Sequence, residues 1–401
     1  MTDISVSFLP LASLQPVVNA RHDWLGFALH SVPADAPTAN ALITLLNETP
    51  LLDAFGPLDC LLPVPDPMRI DVDAMSRLPA EKIVLRVSAV NCAEAETWRR
   101  VNELQSQGFR ILLEGVPPSG SSVSSAVKSL AIHCGDHVSS DIENWMHRLD
   151  GPHLAENVND PARFEACRTA GFSWFAGSYP LHRKVFPPQN NGSSRTRLLM
   201  LLGLVSHDAE TREIETLLKQ DPALSYLLLK LVNSAVFGLT TTVTSFSQAI
   251  SLLGRRQLQR WLQLLLYAGQ HDGDMDNPLL GRAAFRAGLM EALCQNTGGN
   301  KDEQNAAFMA GLFSLLDALF GLPMAEIIKP LRLEESVIAA LLVRSGKLGM
   351  LLDLAERAAS DRGPLSNAIL AKCDIDIETY WNSMAHASRW AVEVSRTFSH
   401  D

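Results

Sequence analysis

The chain has 401 residues, of which 47% are hydrophobic and 19% charged, and its net charge is −10. This length favours two domains, and this composition excludes a disordered chain. The acidic balance argues against broad binding to nucleic acid, and no apolar stretch is long enough to span a bilayer. The amino-terminal residues lack a signal-peptide pattern and the six cysteines form no CxxC pair, so we expect a cytoplasmic protein with reduced thiols.

The first half of the chain alternates short apolar runs with amphipathic segments. Strands are predicted at 82–87, 109–113, 130–133, 153–155 and 173–175, and helices at 93–107, 140–149 and 161–170. Strands and helices in alternation predict a parallel α/β sheet, either open or closed into a barrel. The segment 186–194 is rich in proline, glycine and serine and therefore indicates an interdomain linker.

After this linker the apolar residues recur with the period of an α-helix. Helices are predicted at 211–220, 222–232, 245–253, 255–270, 278–295, 303–320, 334–344, 347–358 and 375–398. No strand pattern competes with them, so this half is predicted to be all-α. Its basic cluster, Arg255, Arg256 and Arg260, is expected to begin a helix and face solvent, and Glu291 is expected to form ion pairs.

The segment 221–254 carries the most specific pattern. Asp-Pro suits a helix start, a capping box begins the later helix, and a glycine suits its end. The residues concerned are Asp221, Pro222, Leu224, Ser225, Val232, Asn233, Ser234, Ala235, Phe237, Gly238, Ser245, Gln248, Ala249, Ile250 and Gly254. In this order they resemble the HDOD domain, a relative of the HD and HD-GYP phosphohydrolases without their metal centre.

Five motifs of the first half also stand in a fixed order, at 15–18, 26–29, 108–113, 153–158 and 171–177. They resemble the EAL domain, a TIM-barrel-like phosphodiesterase that cleaves cyclic di-GMP with two divalent metals. The two resemblances imply three segments. These are a degenerate EAL-like α/β barrel at 1–187, a linker at 188–196 and an all-α HDOD domain at 197–401.

The resemblance implies where the metal-site residues of an EAL domain would fall. The positions are Ala28, Pro63, Arg86, Glu114, Gly115, His133, Glu156, Asn159 and Ala176. Ala28 has no ligand atom, and Arg86 puts a cation where a cation should bind. Glu114 and Glu156 keep coordinating capacity, but we expect them to be solvated or paired with an arginine. We therefore predict no metal, no cofactor and no catalytic residue.

The helical half is predicted to lack the metal site of HD-type hydrolases. In the helix that resembles the HD-bearing one, Ser314 and Leu315 occupy the His-Asp position, and no histidine lies between Asp272 and His386. Asp317 is expected to pair with an arginine inside the bundle, the candidates being Arg282, Arg286 and Arg344. Asn233 and Ser234 are expected to end a helix and bond to a neighbouring backbone.

These residues predict a non-catalytic bacterial signal-transduction regulator or scaffold, and not an enzyme. It would act through contacts with other signalling proteins, without nucleic acid or membrane, and would form a homodimer in one version of this hypothesis. The alternative, which the fold alone suggests, is a cyclic di-GMP phosphodiesterase or a cyclic di-GMP-binding effector.

Overall fold

The structure, a computed structural model, describes most of the chain. The described residues are 9–31, 36–91, 94–117, 123–124, 127–134, 139–182, 200, 213, 243, 246–268, 277–331 and 333–398. The chain divides into two compact units. The barrel unit comprises 1–20, 24–182 and 353–389, and the helical unit comprises 21–23, 183–352 and 390–401. The predicted domain boundaries near 187 and 197 lie outside the described residues, so they stay predictions.

Eight strands form a closed barrel in chain order. They are β1 (Ala12–Val18), β2 (Trp24–Ser31), β3 (Asp59–Pro63), β4 (Ile83–Ser88), β5 (Arg110–Glu114), β6 (Ser129–His133), β7 (Leu154–Glu156) and β8 (Trp174–Phe175). Strands β2 to β8 are parallel, whereas β1 is antiparallel to both of its neighbours. The predicted α/β barrel is therefore confirmed, and its antiparallel member is β1, for which the sequence pattern predicted no strand. Residues 19–23 are too few for a crossover, so the chain reverses there as a hairpin.

Helices connect most of the parallel strands. They are α1 (Ala36–Glu48), α2 (Leu51–Ala54), α3 (Val72–Ser76), α4 (Ala95–Ser106), α5 (Ser140–Arg148) and α6 (Pro161–Thr169). Their starts follow from local chemistry. The Asp160 side chain accepts the Arg163 N–H before Pro161 opens α6, and Ser139 likewise caps α5. Short 3₁₀ turns at Pro67–Arg69, Ala80–Lys82 and Tyr179–His182 complete the connections.

The carboxyl-terminal segment 353–389 belongs to the barrel unit. The Tyr380 hydroxyl donates to the Ala12 carbonyl oxygen over 2.8 Å, and the Trp381 indole N–H donates to the Pro10 carbonyl oxygen over 2.9 Å. Both side chains are almost fully buried, so these bonds form in a desolvated contact. They fasten the segment to β1 and to the residues just before it.

The later part of the chain is helical throughout its described residues. Its helices are α7 (Phe246–Ala268), α8 (Leu279–Asn296), α9 (Lys301–Phe313), α10 (Leu316–Phe320), α11 (Met324–Ile328), α12 (Glu335–Val343), α13 (Gly346–Ala358), α14 (Asn367–Lys372) and α15 (Ile377–Phe398). A 3₁₀ turn at Lys329–Leu331 precedes α12. Within the described part of the chain, no helix is both long and apolar enough to cross a membrane.

Two breaks interrupt the helices of the helical unit. Gly254, with φ of 71° and ψ of 163°, breaks α7 where a helix end is predicted. The helix predicted at 303–320 is in fact two, α9 and α10, because Ser314 and Leu315 interrupt it. Helices α8 and α9 pack so closely that a Cβ on Gly311 would lie 2.7 Å from the Arg286 carbonyl oxygen.

We expect the Tyr380→Phe variant to be less stable than the wild type by about 1–3 kcal/mol, because the buried Ala12 carbonyl oxygen loses its hydrogen-bond donor. Equilibrium unfolding in urea, followed by far-UV circular dichroism, measures this difference. An unchanged midpoint and slope would show that the segment 353–389 is not fastened to the barrel through this bond.

Candidate functional site

The interior of the barrel contains an apolar layer of eight residues. Each of β1 to β7 contributes one of them, and the eighth directly follows β8. Its members are Val17, Ala28, Leu61, Val84, Leu112, Ala131, Leu154 and Ala176. All are at most 2% exposed. Because side chains alternate between the faces of a strand, the residue two positions further along each parallel strand also points inward, one layer nearer the carboxyl end.

This next layer is largely polar and forms the mouth of the barrel. Its residues on β2 to β7 are His30, Pro63, Arg86, Glu114, His133 and Glu156. On the antiparallel β1, Ser13 lies opposite His30 in the register. Functional sites of closed α/β barrels lie at this end, where the parallel strands finish. The fold therefore gathers ionisable side chains from several strands at one place.

Arg86 holds two carboxylates from different strands. Its Nη2 lies 2.8 Å from Glu156 Oε1 and also donates to Glu114 Oε1. The side chains of Arg86 and Glu156 are 3% and 2% exposed, whereas that of Glu114 is 37% exposed. Burial acts to raise the pKa of Glu156, but the charge of Arg86 and the hydrogen bond with His133 outweigh it and hold that pKa below its ordinary value. Glu156 is therefore a buried carboxylate that stays ionised.

Two histidines flank this ion pair, and their pKa values are shifted in opposite directions. The Nδ1 atom of His133 lies 3.2 Å from Glu156 Oε2, and this hydrogen bond raises the pKa of His133. His30 is only partly exposed, and burial together with the charge of Arg86 lowers its pKa to about 4. His30 is therefore neutral near pH 7, whereas the carboxylate of Glu156 favours the charged form of His133.

A cavity of about 340 Å³ lies over this layer, within the size range of small-molecule sites. His30, His133 and Glu156 line one side of it, and the segment 360–365 lines another. The hydroxyl groups of Ser13 and Ser360 are 2.7 Å apart and join the two sides. The remaining lining residues are Leu11, Ala12, Gln15, Asn157, Asn159 and Ser178.

The other positions implied by the EAL resemblance are distributed around the mouth. Ala28 and Ala176 are sealed in the apolar layer. Pro63 ends β3, and Gly115 follows β5 with its N–H bonded to the Ala131 carbonyl oxygen. Asn159 lines the cavity and accepts a hydrogen bond from the Ser178 hydroxyl.

The side chains present at the mouth do not suit a pair of divalent cations. Both carboxylates are engaged by the guanidinium of Arg86, and its buried Nε is a donor without a hydrogen-bond partner among the described residues. Hard cations of this kind need several oxygen ligands with free lone pairs. Among the described residues, no group of three or more His, Cys, Asp or Glu side chains could hold a metal ion.

The helical unit corrects two expectations about charged residues. Asp317 is exposed, and its carboxylate accepts the Ala318 N–H of its own helix, so it does not lie inside the bundle. Arg286 instead donates to the Ser314 hydroxyl over 2.9 Å. Arg260 does not simply face solvent, because it pairs with Glu291 and lies 4.6 Å from the ring centroid of Phe308. The expectation that Glu291 forms an ion pair is confirmed.

Part of the HDOD-like segment cannot be compared with the structure. Asp221, Pro222, Asn233 and Ser234 lie outside the described residues, while Gln248 lies on α7 before the break at Gly254. One residue of the barrel mouth, His30, was missed by the sequence analysis. Its signal was alternation, because it stands two residues after Ala28 on a strand that was not assigned.

Comparisons with known proteins found similarity to the helical part of the chain and to the chain as a whole. Residues 195–326 match the HDOD domain. A relative from Vibrio cholerae, named cyclic di-GMP phosphodiesterase CdgJ, is 25% identical over 95% of this chain and 92% of its own. The chain thus combines an eight-stranded closed barrel with a segment that matches the HDOD domain.

The chain also has likenesses among solved structures, which concern the fold alone. The EAL domain of Mycobacterium smegmatis DcpA is 15% identical over 42% of this chain and 89% of that chain, with a TM-score of 0.34. The Bacillus subtilis YkuI protein, which has an EAL domain and was solved with cyclic di-GMP and calcium, is 13% identical over 62% and 74%, with a TM-score of 0.35.

The expectation that this chain is not an enzyme is wrong by the comparison with CdgJ, because that relative spans almost the whole chain and is named as a phosphodiesterase. The physical reason is that the absence of metal ligands argues against only one arrangement of charge, which is a pair of divalent cations held by oxygen ligands. Arg86, Glu114, His133 and Glu156 place four other ionisable groups at the same mouth. The absence of a ligand atom at Ala28 gives no information about these four groups.

We expect the Arg86→Met variant to lose about 3–5 kcal/mol of stability, because it leaves the Glu156 carboxylate buried without its counter-charge. The matched control is Arg110→Gln, which breaks the half-exposed pair with Asp59 at the opposite end of β5 and should cost at most about 1 kcal/mol. Urea denaturation measures both. Adding Glu156→Gln to Arg86→Met should recover part of the loss, and equal losses in the two single variants would contradict the assignment.

We expect the stability of the protein to decrease as the pH is lowered, because the pKa of His30 is lower in the folded state than in the unfolded chain. Above its unfolded pKa of 6.5 both states are neutral there, but between 6.5 and about 4 the unfolded chain takes up the proton first. The wild type should therefore lose on the order of 3 kcal/mol across this window relative to His30→Gln. Urea denaturation of both proteins at several pH values measures this difference. Parallel pH profiles would show that His30 is not held neutral.

Proposed function

We propose that this protein is a cyclic di-GMP phosphodiesterase or a cyclic di-GMP-binding effector, with the dinucleotide held at the mouth of the barrel. The observation that carries the proposal is the relationship with CdgJ, which spans 95% of this chain and 92% of that protein. The alignment includes both domains, so it concerns the whole architecture and not one shared module. The binding step is common to both versions of the proposal.

The cavity at the mouth supports a phosphodiester ligand. His133 is 71% exposed on its side chain and lines the cavity, and its bond to Glu156 favours the imidazolium form. An imidazolium donates a charge-assisted hydrogen bond to a phosphate oxygen. Neutral polar groups of Asn157, Asn159 and Ser178 stand near it and suit the hydroxyl and base groups of a nucleotide.

Hydrolysis is favoured specifically by the name of the relative. It requires a proton for the leaving oxygen of the phosphodiester, and an imidazole near physiological pH can supply one. His133 is the candidate donor, since its ring is exposed and the hydrogen bond with Glu156 raises its pKa. Binding without hydrolysis would make the protein an effector.

The HDOD domain is proposed to contact other signalling proteins, and a homodimer remains part of this proposal. Large apolar side chains are exposed in the helical unit, namely Leu322, Leu342, Val343 and Met350. Exposed apolar groups of this kind suit protein contacts. A cytoplasmic location is proposed with them, because the described cysteines are all free thiols.

We expect the full chain to bind cyclic di-GMP, and His133→Ala to weaken binding by about 10-fold or more through loss of a charged hydrogen bond. The matched control is His147→Ala, an exposed histidine on α5 that does not line the cavity. Isothermal titration calorimetry measures the affinities, and chromatography of the same mixtures detects the linear dinucleotide. No binding by the wild type, or equal weakening by both substitutions, would contradict the proposal.

A further inference from the structure

We propose that the guanidinium of Arg86 permanently takes the place of divalent cations at the barrel mouth, so that ligand binding there requires no metal ion. The part about the ligand rests on the function proposed above. The part about the cation stands on the geometry of the mouth alone, and the two parts are tested separately.

Two acidic side chains converge on one nitrogen atom of Arg86. Glu114 ends β5 and Glu156 ends β7, and both carboxylates meet Nη2 of Arg86, which comes from β4. One positive centre thus holds acidic side chains from separate strands, which is the structural work that a metal ion performs in a metal-dependent site. The centre is supplied by the chain itself.

The positive charge of Arg86 is permanent. The guanidinium is not deprotonated in proteins, and this one is 3% exposed. A divalent cation bound to Glu114 and Glu156 would either lie beside that charge or displace it into a buried place without a counter-ion. Both outcomes are unfavourable, so Arg86 excludes the metal at every ordinary pH.

The other positions at the barrel mouth offer few ligands for a divalent cation. Ala28 and Ala176 lie in the apolar layer and offer no donor atom. His133 keeps one ring nitrogen on Glu156. A cation would therefore compete with Arg86 for the same two carboxylates and find no further oxygen ligand from these positions.

The direct test is thermal unfolding of the full chain with Mn²⁺, with Mg²⁺ and with EDTA. A specifically bound metal stabilises the folded state, so the proposal expects the same melting temperature in all three. A rise with Mn²⁺ that Glu114→Gln or Glu156→Gln abolishes would overturn it. A rise that both substitutions leave intact arises elsewhere on the protein and supports it.

A second arm removes the guanidinium. In Arg86→Ala the two carboxylates and His133 are released, so Mn²⁺ should raise the melting temperature of this variant but not that of Arg110→Ala, whose lost pair lies at the other end of the barrel. A folded Arg86→Ala protein that ignores Mn²⁺ would overturn the proposal. If this variant does not fold, the wild-type measurement with the two glutamine variants decides.

The ligand arm compares the Kd of cyclic di-GMP in EDTA and in Mg²⁺, and an unchanged value is expected. Binding only with Mg²⁺ would overturn this inference while the proposed function stands. Absence of binding in both conditions would remove the proposed function, and the melting temperatures would still decide whether Arg86 replaces the metal.

Discussion

The ion pair of Arg86 with Glu114 and Glu156 is the interaction on which the barrel mouth depends. It joins the carboxyl ends of three strands through groups that are mostly out of water. A buried pair of this kind adds little net stability compared with apolar packing, but losing one partner is costly because a charge is left uncompensated. The arrangement is therefore a strong constraint on these residues, whatever its net contribution to folding.

The protonation states of the neighbouring histidines follow from this pair. Burial and the charge of Arg86 lower the pKa of His30, whereas the hydrogen bond with Glu156 raises the pKa of the exposed His133. The pKa values of two imidazoles at one mouth are thus shifted in opposite directions, since the two rings differ in burial and in the charge that acts most strongly on them. The division places a neutral ring beneath the cavity and a proton donor at its surface.

Local patterns were enough to predict the later strands and helices of the barrel within a few residues. The Asp160-Pro161 cap placed the start of α6, and Gly254 marked the break in α7. Barrel closure was open in the sequence because it depends on pairs such as Val18 with Phe175, which are far apart along the chain. The place of Tyr380 beside Ala12 is likewise a long-range contact that no periodicity encodes.

The candidate site was predictable only in part for the same reason. The EAL resemblance identified Arg86, Glu114, His133 and Glu156 and predicted that the two glutamates are solvated or paired with an arginine, but their mutual contacts appear only when the barrel closes. The inference from missing ligands to missing activity then failed, because it counted donors one position at a time. Charge at a barrel mouth is a property of the whole layer. Arg86 organises two carboxylates in this layer and, through Glu156, an imidazole that is hydrogen-bonded beside the cavity.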